Sequence, residues 1–180
     1  MKVLILHGWG GSDYPHWQAH LAMEIAKNYG TVSFPLIQHP HYPSKNRWLK
    51  QLDAFMRDFK PDTVVCHSLA NTLWFHYRAQ PDAISTERLF LVSPPSLTTQ
   101  LETLSSFFPC ALPDDIGAKR TYVFVSDDDP YITVDEAERI AEHIGATTEV
   151  LHKAGHINAD SGFGKWERIE TLVLQNEELE

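Results

Sequence analysis

Apolar residues along this chain fall in short runs, separated by longer stretches with helical spacing. Val3–Leu6 is apolar throughout, as expected of a strand buried on both faces. From Pro15 to about Asn28, Trp17, Leu21 and Ile25 share one face and Gly30 lies just beyond, which predicts a helix. Thr31–Phe34 predicts a second strand. Asn46–Phe59 predicts a second helix, with Trp48, Leu52, Phe55, Met56 and Phe59 near helical spacing. Thr63–Cys66 is a third strand, followed by a helix to about Ala79. Arg88–Val92, Thr121–Val125 and Thr147–Leu151 complete six predicted strands. Further helices are expected over Thr133–His143 and from Phe163 to Leu174 or beyond, with Trp166, Ile169 and Val173 inward. Pro35–Ser44 carries three prolines and reads as a loop. The long stretch from Pro94 to Ala118 is also proline-punctuated, with a helix expected near Thr98–Phe107.

Strands alternating with helices imply βα units around a mostly parallel sheet of about six strands, an α/β fold in three layers. There is no internal repeat and no linker-like shift in composition, so residues 1–180 are expected to form a single domain.

Composition removes several function classes. Apolar residues make up 43% of the chain and charged residues 22%, ordinary values for a globular protein. The formal net charge is −9, with no cluster of Lys and Arg, which argues against nucleic acid and against an anionic membrane surface. Two cysteines, Cys66 and Cys110, do not make a disulfide framework. The apolar run at the N-terminus is too short for a signal peptide or a membrane span. A cytoplasmic protein is expected.

The candidate chemistry lies at the carboxyl ends of the predicted strands, where open α/β sheets bind ligands. Ser68 follows the third strand in Cys66-His67-Ser68-Leu69-Ala70, at an abrupt strand–turn–helix. That is the setting of a nucleophile elbow, usually G-x-S-x-G, with Cys66 and Ala70 here in place of the glycines. The plain alternative is a serine that caps the helix. Two partners follow downstream. An acidic run, Ser126-Asp-Asp-Asp129-Pro130, comes after the fifth strand, and Gly155-His156 after the sixth. A serine needs a base within hydrogen-bond reach, and the base needs an orienting carboxylate. The order Ser, Asp, His is the α/β-hydrolase order. Asp129 is favoured as the carboxylate, because Pro130 holds it extended and Ile132 follows three positions on; Asp128 is the alternative. The oxyanion hole is expected from the backbone N–H groups of Leu69 and Trp9.

Other readings are weaker. Gly8-Trp-Gly10 would need glycine at position 13 to be a dinucleotide fingerprint, and Asp13 stands there; the ending of a phosphate-binding Walker loop is also missing. His16 and His20 are spaced to share a metal ion, but Trp17 occupies the place of the metalloprotease glutamate, and His39 and His41 merely flank Pro40. No metal and no cofactor are expected. Trp9, Tyr131 and Phe163 are candidates to line a substrate pocket.

Taken together, the opening Leu6-His7-Gly8-Trp-Gly, His16-Trp17-Gln18, His67-Ser68-Leu69, Ser126-Asp-Asp-Asp129-Pro130 and Gly155-His156 resemble the small serine hydrolases of the retinoblastoma-binding-protein-9 and YdeN type, within the α/β-hydrolase superfamily. The resemblance covers most of the chain. It implies a doubly wound sheet without a large lid, and a triad of Ser68, Asp129 and His156. The expected function is hydrolysis of small carboxylic esters, thioesters or amides through an acyl-serine. A partner-binding scaffold with vestigial activity and an acyltransferase are the competing readings. No protein partner is indicated by the residues themselves.

Overall fold

A computed structural model describes residues 1–175. Six strands, β1 (Lys2–Leu6), β2 (Thr31–Ser33), β3 (Thr63–His67), β4 (Thr86–Val92), β5 (Ala118–Ser126) and β6 (Thr147–Leu151), form one sheet in the order β2-β1-β3-β4-β5-β6. Every neighbouring pair is parallel. Helices α1 (Trp17–Lys27), α2 (Lys45–Phe59), α3 (Leu69–Arg78), α4 (Val134–His143) and α5 (Glu167–Gln175) cover it.

The strand pleat divides the core in two. Val3, Ile5, Val65, Phe90, Val92, Tyr122 and Phe124 pack with Trp17, Leu21 and Ile25 of α1 and Ile169, Leu172 and Val173 of α5. The alternate positions, Leu4, Leu6, Val64, Cys66, Leu89, Leu91, Val123 and Val125, pack with α2, α3 and α4. Both faces of the central strands are therefore apolar, which is why those strands read as continuous runs. Buried Arg88 on β4 donates to the carbonyls of Leu172 and Val173, at 3.1 and 3.0 Å, and so docks the end of α5.

Two expected elements differ. The helix near Thr98–Phe107 is only a single 3-10 turn, Glu102–Leu104. Its hydroxyl residues bond to the backbone and to α4 instead: Ser96 Oγ donates to Glu136 (2.9 Å), Thr99 Oγ1 donates to the Ser96 carbonyl (2.8 Å), and the Thr98 N–H donates to Ser96 Oγ. The last helix begins at Glu167, not Phe163. A turn capped by Asn158 closes first, with the Phe163 N–H donating to the Asn158 carbonyl at 2.9 Å. The part of the expected helix beyond residue 175 lies outside the described residues.

The chain runs from β1 outward to β2, then returns to place β3 on the other side of β1. This reversal opens a crevice between the loops after β1 and β3, the usual ligand position in such a sheet.

Candidate active site

Ser68 sits between β3 and α3 with φ 53° and ψ −121°, a conformation that costs an L-residue energy and holds its side chain out of the turn. The turn is held from below. The Ser68 N–H donates to the Val92 carbonyl (3.0 Å), and Asn71 Nδ2 donates to the carbonyls of Ser68 (2.8 Å) and Val92 (2.9 Å). Cys66 and Ala70, where glycine is usual, are both fully buried, and burial raises the Cys66 thiol pKa far above its ordinary value. Glycine is needed instead at position 8. A Cβ there would lie 2.7 Å from the Ser68 Cβ.

His156 Nε2 lies 2.8 Å from Ser68 Oγ. Its Nδ1 lies 2.9 and 3.1 Å from the two oxygens of Asp129, whose side chain is fully buried. A carboxylate only accepts, so Nδ1 carries the proton and Nε2 is left to accept from the Ser68 hydroxyl. Asp129 is in turn fixed by the Tyr131 N–H, 2.9 Å from Oδ1.

The other two aspartates build the loop that carries His156. Asp128 Oδ1 accepts from Ser126 Oγ (2.6 Å) and the Gly155 N–H (2.7 Å). Those two bonds hold its carboxyl below the usual range. Asp127 accepts from the Lys153 N–H (2.7 Å) and meets His152 Nδ1 at 2.6 Å, and is lowered likewise. Three consecutive acidic residues thus do three different jobs.

Beneath the relay lies a layer that sequence reasoning did not assign. Trp17 Nε1 donates to the Ile157 carbonyl (2.8 Å), Gln18 Nε2 donates to the Leu6 carbonyl (2.9 Å), and His67 Nε2 lies 3.0 Å from the His156 carbonyl, to which it donates. The first and last of these contacts grip the carbonyls of Ile157, a β-branched residue at φ 46°, and of His156. The His16 and His67 rings are 4.8 Å apart and both are buried. Burial keeps both neutral, with the nearby His156 adding to the effect on each and His16 adding to that on His67; His16 is pushed down to about 4 and His67 well below its ordinary value. The helix-like spacing of His16, Trp17 and Gln18 gave no signal of these long-range contacts.

The loop after β1 is braced in the same manner. His7 Nδ1 donates to the Gly8 carbonyl (2.7 Å), and its Nε2 accepts from the Ile37 N–H (2.8 Å), so this buried ring is also neutral. Gly10 N–H donates to Pro40 O and Trp9 Nε1 to His41 O, both at 3.0 Å. Among the described residues the Trp9 N–H has no such acceptor. Leu69 opens α3, where a helix N–H has no intrahelical partner. His41 and its neighbours anchor this loop through backbone, and His16 Nδ1 accepts from the Gln18 N–H as the cap of α1. Among the described residues no three His, Cys, Asp or Glu side chains gather as a metal site would require.

The cleft at Ser68 has two lobes. One, of about 130 Å³, is lined by Leu69, Pro95, Thr99, Leu101, Leu104 and Tyr131. The other, of about 270 Å³, is lined by the loop Gly8–Asp13 together with His16, His67 and Asp160. Trp9, Ser68, His156 and Asn158 border both. Tyr131 stands where the sequence placed it, its ring 4.6 Å from that of His156. Phe163 does not line the cleft. Its ring packs against Trp166 at 5.4 Å, and its carbonyl accepts the Trp17 N–H, because the capped turn at Asn158 carries it toward α1. Pro95, Thr99, Leu101 and Leu104 form one wall of the cleft, from a stretch in which the sequence suggested a helix.

A model of the serine hydrolase family matches residues 3–175. No curated protein matches the chain in sequence. Among solved structures, the ydeN gene product of B. subtilis superposes with a TM-score of 0.84 at 20% identity, covering 98% of this chain and 99% of that one. A ydeN-like protein from Pectobacterium atrosepticum gives 0.75 at 20% identity, covering 97% and 90%. A monoacylglycerol lipase from Paleococcus ferrophilus gives 0.67 at 13% identity, covering 97% and 92%. At these identities the likeness is one of fold.

Proposed function

The chain belongs to the serine hydrolase family, and from that premise we propose that it cleaves small carboxylic esters, with thioesters and amides as related substrates, through an acyl-serine formed on Ser68. The observation that carries this reading is the unbroken relay from Ser68 Oγ through His156 to Asp129, at 2.8 and 2.9 Å.

The mechanism follows from those positions. As Ser68 Oγ attacks the carbonyl carbon, its proton moves to His156 Nε2, and Asp129 stabilises the imidazolium through Nδ1–H. Negative charge grows on the carbonyl oxygen, where the Leu69 and Trp9 N–H groups donate and the start of α3 adds its dipole. His156 then gives the proton to the leaving oxygen. Water attacks the acyl-serine by the same path, and Ser68 is restored.

The smaller lobe fits the acyl group. It is walled by Leu69, Pro95, Leu101 and Leu104 and is the smaller of the two, at about 130 Å³. Short, uncharged acyl chains match it, and among the described residues no Lys or Arg lines it. One domain over the whole chain, acting in the cytoplasm, accords with the single continuous sheet and with two buried free cysteines.

A fluorophosphonate probe tests the assignment, because only an activated serine attacks phosphorus quickly. Intact mass should rise by one adduct in the unaltered protein and stay unchanged in Ser68→Ala. Equal labelling of both would remove Ser68 from the role, and labelling of neither would favour a scaffold.

A further inference from the structure

The larger lobe differs in chemistry from the acyl side. Among the described residues no Lys, Arg, Leu, Ile or Val lines it; beside the bordering Trp9 and Asn158 its lining is loop backbone with Ser12, Asp13, His16, His67 and Asp160. His16 is only 5% exposed. Its Nδ1 accepts the Gln18 N–H, so in the neutral ring the proton sits on Nε2. Among the described residues that Nε2–H has no hydrogen-bond partner, although the ring lines the lobe. A second polar atom there, Ser12 Oγ, is buried and also lacks a partner, on a residue 7% exposed. Within the lobe, then, the Nε2–H of His16 faces the cleft as a donor that no protein acceptor takes up. Asp13 and Asp160 are exposed and form no ion pair among the described residues.

This inference rests on the ester-hydrolase reading above. If the acyl group takes the apolar lobe, the alcohol must lie in the polar one, since Ser68 and His156 stand between the two. We propose that the polar lobe is a leaving-group subsite for an alcohol bearing further hydroxyl groups, with His16 Nε2–H donating to a hydroxyl oxygen and the carboxylates of Asp13 and Asp160 accepting from hydroxyls. A hydroxyl both donates and accepts, and so matches a set that mixes a fixed donor with anionic acceptors. A plain alkyl alcohol offers no hydroxyl to take the place of water at this cleft-facing N–H. A quaternary ammonium gains from the carboxylates but meets the N–H of His16 with like polarity.

Three esters of one short acid separate these cases: 1-butyrylglycerol, ethyl butyrate and butyrylcholine. The unaltered enzyme should prefer the glycerol ester over the ethyl ester in kcat/KM by roughly tenfold, the effect of one or two well-placed hydrogen bonds. In His16→Asn that preference should fall to near unity, mostly through a rise in KM for the glycerol ester. Asparagine keeps a side-chain acceptor to cap α1, so the fold is retained. Asp160→Asn, on an exposed residue, should cut the preference by roughly half. Equal use of glycerol and ethyl esters by the unaltered enzyme, a preference untouched by His16→Asn, or a leading rate on butyrylcholine would each overturn the subsite while leaving ester hydrolysis standing. Absence of turnover on all three, with Ser68 unlabelled by fluorophosphonate, would overturn the hydrolase reading and the subsite together.

Discussion

The two ends of the sheet make an instructive pair. At the amino edge, Lys60, Asp62, Thr86, Glu87, Asp115 and Lys119 surround a depression of about 470 Å³, larger than either lobe at Ser68. Two of its charges are already matched, Lys119 to Glu87 at 2.9 Å, both exposed, and Asp115 to the inward-lying Arg78 at 2.7 Å. Exposed pairs of this kind carry little energy and leave nothing poised. At the carboxyl edge the space is smaller, but the groups of the relay are buried, singly oriented and held by strained backbone at Ser68 and Ile157. Volume marks where a molecule can sit; preorganised donors and acceptors mark where chemistry can occur.

The contrast is sharpest at the acidic run. Asp129→Asn should lower kcat by up to roughly ten-thousand-fold, because His156 loses the partner that fixes its tautomer. Asp128→Asn removes an acceptor from the Ser126 hydroxyl and the Gly155 N–H, and should cost roughly tenfold through misplacement of the His156 loop. Steady-state rates on one short ester decide between them. A more severe Asp128→Asn would mean that the 2.9 Å contact from His156 to Asp129 is structural.

Acid should act first on the carboxyl end. His7, His16 and His67 are buried there, and burial lowers all three pKa values. Below pH 6.5 the unfolded chain takes up protons that the folded chain refuses, so stability rises with pH in this window and falls as the medium is acidified. The loss runs from about pH 6.5 to about 4 for His16, at about 1.4 kcal/mol per pH unit for each group. Asp127 and Asp128, with lowered pKa values, add their loss only at lower pH. Glu170, raised by burial, works in the opposite direction. Urea melts at pH 7 and pH 5 should differ clearly, and His16→Asn should narrow the gap. Identical midpoints would show that these histidines accept protons in the folded state.

The smallest effect belongs to the amino edge. Glu87→Gln with Lys119→Met removes its exposed ion pair and should change kcat/KM by less than twofold and stability by less than about 1 kcal/mol. A large loss of activity would break the division between the two edges.

Legibility followed the range of the forces involved. The strands were plain because burial on both faces demands unbroken apolar runs, and the helices because α2 and α4 have one apolar stripe each. Ser68, His156 and the acidic run from 127 to 129 were readable as candidates because each follows a strand, and a parallel sheet brings such positions to one edge. A helix was expected near Thr98–Phe107, yet Leu104 and Phe107 reach the core from a turn whose hydroxyls bond elsewhere. Phe163 was near the right edge in sequence and turned away in space, because the Asn158 cap sets the direction of the chain after His156.

The sequence by itself determined the alternation of strand and helix, the edge on which the polar residues gather, and the chemical types able to act there. These depend on periodicity and local turn chemistry, which are properties of neighbours along the chain. Only the tertiary structure decided which aspartate faces His156, that His16 and His67 lie beneath it as neutral rings, and that the cleft divides into an apolar and a polar lobe. Those outcomes depend on hydrogen bonds spanning 27 residues from Asp129 to His156 and 89 from His67 to the His156 carbonyl. Such contacts leave no period in the chain; they exist only once the sheet has brought its loops together.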